Sequence, residues 1–119
     1  MGYMRHHCFV VTGTQFGGIE RAHAAAVEFG LSPTELTPEV TNGYHSFMVP
    51  PDGSKEGWDE SKAGDARRRR FAEWLVEQRA IEDCNKALYV DWAEIQYGDD
   101  EGETIITACD EWPLPPVKG

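Results

Sequence analysis

The side chains in this sequence best suited to chemistry are four histidines, three cysteines and a surplus of carboxylates. A zinc site would need three or four of His6, His7, His23, His45, Cys8, Cys84 and Cys109 to converge, because the ion takes nitrogen and sulfur ligands in a tetrahedron. No pair among them has the short spacing that seeds such a site. There is no CxxC, and the adjacent His6 and His7 point to opposite faces of a strand. A nucleophilic pair of Cys8 with His45 would need a thiolate, yet Cys8 opens the apolar run Cys8-Phe9-Val10-Val11, where a charged sulfur is disfavoured. The two-histidine phosphoesterase pattern is missing, since Phe9 and Phe47 stand two positions after His7 and His45. Carboxylates can work as acid–base pairs, but none stands alone in a strongly apolar run, and the cluster at 99–103 lacks the ligand spacing of an EF-hand. The residues lean away from an enzyme and name neither a metal nor a cofactor.

The turn Thr12-Gly13-Thr14-Gln15-Phe16-Gly17-Gly18 follows a strand and opens a helix, a geometry that can cradle an anion. Its spacing is neither GxGxxG nor GxxxxGK[ST], and no lysine is placed to reach a phosphate. It reads first as a tight turn. As a site it would offer Thr12, Gly17, Gly18 and His45, with the arginines at 67–70, to a small molecule or nucleotide-derived ligand.

Charge says more. Eleven basic residues face twenty-one acidic ones, a formal net charge of -10. That field repels nucleic acid, whose binding rests on neutralising phosphates, and anionic membrane surfaces. It favours a basic protein surface. The charge is uneven. From Lys86 to Lys118 there is no intervening basic residue, while Asp91, Glu94, Asp99, Asp100, Glu101, Glu103, Asp110 and Glu111 all fall there. The opposite bias lies at Arg67-Arg68-Arg69-Arg70, which should pair with Glu73, Glu77 or the acidic segment of the same chain. Three scattered cysteines do not make the even, tightly spaced framework of a secreted mini-protein, and residues 1–7 hold no apolar leader. The chain reads as cytoplasmic.

The elements that must position these groups follow from periodicity. Residues 4–12 read as a central strand, apolar on both faces at Cys8, Phe9, Val10 and Val11. A helix follows at about 17–29, with Ile19, Ala22, His23, Ala26 and Val27 on one face, Thr14 as N-cap and Gly30 just past its end. Residues 31–43 form a loop with a short edge strand near 35–37. Residues 44–49 make a second strand, stopped by Pro50-Pro51-Asp52-Gly53. A polar loop carrying Trp58 leads to a helix at 65–79, capped by Asp65, with Arg67, Phe71, Trp74, Leu75 and Gln78 on one side and an Arg69–Glu73 pair on the other. A hairpin then joins 88–97 to 103–109 through Asp99-Asp100-Glu101-Gly102. Its first arm turns Ala93, Ile95 and Tyr97 to one face and Glu94, Gln96 and Gly98 to the wet one. Asp91 shares the apolar parity and so belongs at the strand's edge or in a bulge.

The expected fold is α+β: a two-layer sandwich with two helices on one face of a mostly antiparallel four- to five-stranded sheet, ending in a β-hairpin. Residues 1–112 form one domain, and 113–119 an extended Pro-rich tail with a weak PxxP signal.

The stretch Ser46-Phe47-Met48-Val49-Pro50-Pro51-Asp52-Gly53-Ser54-Lys55-Glu56-Gly57-Trp58, with Gln96-Tyr97-Gly98-Asp99-Asp100-Glu101-Gly102, resembles short uncharacterised acidic proteins of phages and bacterial prophages. The resemblance brings no catalytic motif. It implies an accessory factor or an inhibitor of a host protein. Two functions are therefore expected in turn. The first is a binding protein whose Glu94, Asp99, Asp100, Glu101 and Glu103 meet a basic partner. The alternative is a ligand binder or weak enzyme at the Gly-rich turn. The sequence leaves the oligomeric state open, a homodimer included.

Overall fold

The computed structural model describes residues 5–54, 57–98 and 102–111. The order is β1 (His6–Gly13), α1 (Ile19–Glu28), β2 (His45–Val49), α2 (Asp59–Arg79), β3 (Val90–Tyr97) and β4 (Ile105–Cys109), with one 3-10 turn at Thr41–Gly43. The four strands form one antiparallel sheet in the order β2-β1-β3-β4, and β3 with β4 is the expected hairpin. The fold is the expected α+β arrangement. The tail at 113–119 and the turn residues Asp99, Asp100 and Glu101 lie outside the described residues. No helix among the described residues is long and apolar enough to cross a membrane.

Both helices pack on one face. From the sheet that face takes Phe9, Val11, Phe47, Val49, Val90, Trp92 and Ala108; the helices add Ile19, Ala22, Ala26, Phe71 and Leu75. Phe9 meets Phe71 edge-on at 5.2 Å between ring centroids and Trp92 at 5.7 Å. Aromatic pairs at such spacing add to the burial of their area.

Several local expectations need correction. Helix α1 starts at Ile19 behind Gly18, not behind Thr14. The Thr14 hydroxyl instead accepts from Gly17 N–H, and its carbonyl from Ile19 N–H, so Thr14 closes the turn. Ala25 is buried where Val27 was expected, and Val27 is exposed. At the other end Gly30 is left-handed, with Gly30 N–H on Val27 and Leu31 N–H on Ala26, a Schellman closure.

Helix α2 begins six residues earlier than its periodicity suggests. Asp59 and Glu60 complement the dipole of its first turn. Asp65 is therefore inside the helix, not at its cap. Gly64 looks like a loop residue in sequence, but a methyl there would lie 2.9 Å from Asp52 Oδ2. It is the point where α2 passes the turn after β2. The buried arginine of α2 is Arg68, not Arg67, and Arg69 makes the expected pair with Glu73.

The segment at 34–37 runs along the outer edge of β2. Thr34 and Thr37 give their N–H groups to Met48 and Ser46 carbonyls, and their hydroxyls accept from Met48 and Ser46 N–H. His23 and His45 bond the Thr34 and Thr37 carbonyls and pin the segment from behind.

Candidate functional site

The hairpin does not present the face that alternation suggested. Val90, Trp92 and Glu94 point at the helices, while Ala93, Ile95 and Tyr97 point away from them. Glu94 thus enters the protein, where its side chain is 16% exposed and meets Arg68 Nε at 3.2 Å. Thr107 is an extra residue in β4, a bulge opposite Glu94 and Ile95, and its hydroxyl donates to the Glu94 carboxylate at 2.8 Å. Arg68 also bonds Asp65. A charge this far from water persists only when paired and hydrogen-bonded, and Glu94 is both. It is withdrawn from any partner. Arg5 reaches the same ribbon from the start of β1 and donates to the Gly98 and Glu103 carbonyls. The basic-free stretch of sequence is therefore crossed by two arginines from elsewhere. Glu103 itself is exposed.

The Gly-rich turn is fully used by its own fold. Gly17 N–H goes to Thr14 Oγ1, Gly18 N–H to Gln15, Ile19 N–H to Thr14, and the Gly17 carbonyl takes Tyr89 N–H at 2.8 Å. A methyl on Gly17 would run into the Tyr89 carbonyl. Thr12 shares a hydrogen bond with Ser46, and His45 with Thr37. The amides that would cradle an anion are committed, and the glycines serve close packing against the start of β3.

Cys8 pairs in register with Ile95, whereas His45 stands opposite Gly13, at the far end of β1. The two do not meet. Burial, with the charge of Glu94 behind it, pushes the Cys8 thiol above its ordinary value, the reverse of an activated nucleophile. None of the three cysteines is in a disulfide, and no group of three histidine, cysteine or acidic side chains converges on one point among the described residues.

The structure assembles a different group at the end of the sheet where β1 stops, β2 and β3 begin and β4 ends. Tyr44 and Tyr89 precede the two starting strands, and Asp110 and Glu111 follow the last one. Asp91 stands opposite Thr12 near the start of β3, and because the parity it shares with Ala93 and Ile95 is that of the face turned away from the helices, it needs neither an edge nor a bulge. These residues line a cleft of about 490 Å³, together with Thr14 and Arg79. A hollow of about 270 Å³ shares Asp110 and Glu111 and reaches Leu75, Leu88 and Trp92.

The electrostatics of this end are unbalanced. Burial first, then the hydrogen bond and charge of Asp91 and the charge of Glu111, holds the Asp110 carboxyl above the usual range. Asp91, Asp110 and Glu111 make no ion pair among the described residues. Arg79, which lines the same cleft, lies over the Tyr89 ring at 4.3 Å. Tyr44 is 39% and Tyr89 43% exposed, and Phe16, at the tip of the adjoining turn, is wholly exposed. A bare phenylalanine has no solvation reason to be there. Aromatic side chains beside charge are the usual anchors of protein interfaces.

In the sequence Asp110 and Glu111 stand out only as members of an acidic run, and Asp91 by that and by its parity in the strand. The hairpin register, with Ala93 opposite Cys109, is what brings the two aspartates together. Another hollow, about 600 Å³ beside Asp52, Trp58 and Arg67, mixes both signs of charge. Comparison of the chain with protein-family models, curated proteins and solved structures finds no match.

Proposed function

We propose that this chain is a small binding protein that engages a basic surface of a partner protein through the end of the sheet where β1 stops. The observation that carries the reading is the cleft in which Asp91, Asp110 and Glu111 stand without an ion pair among the described residues beside exposed Tyr44 and Tyr89. Complementary charge speeds the encounter and makes it salt-dependent, while exposed aromatics supply the area that holds the complex. The net charge of -10 supports the same choice of partner. With three unpaired thiols the chain suits the cytoplasm. Its resemblance to short phage and prophage proteins suggests an accessory factor or an inhibitor of a host protein.

The test is capture from bacterial lysate with three forms of the protein. Reversal of Asp91, Asp110 and Glu111 to lysine, or Phe16→Ala, is expected to lose the basic proteins that wild type retains at low salt. Reversal at Asp99, Asp100 and Glu101 measures the turn separately. Undiminished capture by both the first triple variant and Phe16→Ala rules out this end as the interface.

A further inference from the structure

The acidic cleft does not stand alone. The hollow of about 270 Å³ opens beside it, and the two share Arg79, Val90, Asp110 and Glu111. Their linings differ. Hydroxyls, carboxylates and a guanidinium bound most of the cleft, whereas Leu75, Val76, Leu88, Val90 and Trp92 bound the hollow. Four of these five belong to the core of the domain, while Val76, 41% exposed, stands on α2 as the outer wall. The hollow is a gap in the packing between the last turns of α2 and the start of β3. Apolar atoms that face a gap lack contacts on that side, and water held among them meets few polar partners. An apolar group is the occupant that gains most there.

Size and rim narrow the choice. Sites for small molecules hold about 300–1,000 Å³, so this hollow suits one large side chain. Interface hot spots are of that kind, an anchor residue seated in a desolvated pocket. At the rim Asp110 and Glu111 make no ion pair among the described residues, and Asp91 lines the shared cleft. These carboxylates repel an acidic segment and attract a cation placed next to the anchor. Arg79, stacked on Tyr89, shows that an aromatic face at this end takes a guanidinium, and exposed Tyr44 offers a second ring in the same cleft.

We infer that the partner presents a bulky apolar residue next to a basic one, the first filling the hollow against Val76 and Trp92 and the second lying in the cleft among Asp91, Asp110 and Glu111. This rests on the function proposed above and adds an apolar requirement to it: a basic surface without the anchor is held by charge alone.

Two short peptides of equal positive charge form the test, one with leucines among its arginines and the other with serines in their place, titrated against the full chain by fluorescence anisotropy. Wild type is expected to bind the leucine peptide about tenfold more tightly, the effect of burying one such side chain in part. Val76→Gln is expected to bring the leucine peptide down to the level of the serine peptide. Glutamine suits an exposed helix position, and circular dichroism confirms the fold. The indole N–H resonance of Trp92 gives a reading that needs no variant, since it should move further with the leucine peptide than with the serine one. Equal affinity of the two peptides for wild type overturns the inference, and if both then bind in a salt-dependent way the basic-partner reading stands without it. A leucine preference that survives Val76→Gln overturns it too. Should neither peptide bind at low salt, both readings fall. A wild-type dimer in light scattering that Val76→Gln dissociates would assign the hollow to a second copy and overturn the inference as well.

Discussion

Replacing Arg68 by methionine tests the least expected feature of the core. Arg68 makes two ion pairs of very different worth. Asp65 is half exposed, with a side chain 52% accessible, and water re-solvates it when the guanidinium goes. Such a pair contributes about 0–1 kcal/mol. Glu94 is not so placed. With 16% of its side chain accessible and only the Thr107 hydroxyl left, its carboxylate would remain nearly buried without a counter-charge. Removing one member of a buried pair costs about 3–5 kcal/mol. We take the lower end, about 3 kcal/mol, because Glu94 keeps Thr107 and a little water. For a domain of this size that lowers the melting temperature by about 12 °C. The double variant Arg68→Met, Glu94→Gln removes the orphan charge and should recover most of the loss, a coupling of about 2 kcal/mol. Urea unfolding followed by tryptophan fluorescence suits the measurement, since Trp92 lies in the same core. If the single and double variants were equally unstable, the cost would be lost packing of the arginine stem, and the buried-charge argument would be refuted.

Two further outcomes follow from the site. The Asp110 carboxyl is raised in the folded state, so the folded chain holds its proton to higher pH than the unfolded one, and stability falls as pH climbs from the unfolded value through the folded one. Asp110→Asn should match wild type below that window and exceed it above, as melting temperatures across pH would show; a difference independent of pH would contradict the assignment. Gly17→Ala should cost about 1–3 kcal/mol, because its methyl meets the rigid Tyr89 backbone rather than a side chain that can swing aside, and an unchanged urea midpoint would show that the turn has room to spare.

The order of elements was legible because each carries its own period. The apolar run at 8–11, the strand-forming residues at 44–49 with the Pro-Pro-Asp-Gly stop after them, and the helical spacing of Phe71, Leu75 and Gln78 do not depend on anything distant. The failures share a cause: each turns on what lies across from a residue. Ala93, Ile95 and Tyr97 look like a core face until Trp92 and Val90 are set against Phe9 and Val11. Glu94 reads as a solvent residue unless Arg68 of another element is brought to it. Gly64 reads as a break because glycine is a poor helix former, although here it clears the way for Asp52. The cleft at Asp91 and Asp110 depends on strand register, which neither residue signals alone.

The placement of β1 bears on how this protein is made. The strand lies between β2 and β3, and Arg5 just before it fastens carbonyls more than ninety positions downstream. A chain leaving the ribosome can pair β1 with β2 early, but the other edge of β1 stays bare until residues 90–97 have emerged. Contacts of such long range form late and slowly, and an open apolar edge in the meantime invites wrong pairings. Slow translation between α2 and β3 would therefore lengthen the interval in which the nascent protein is vulnerable to aggregation.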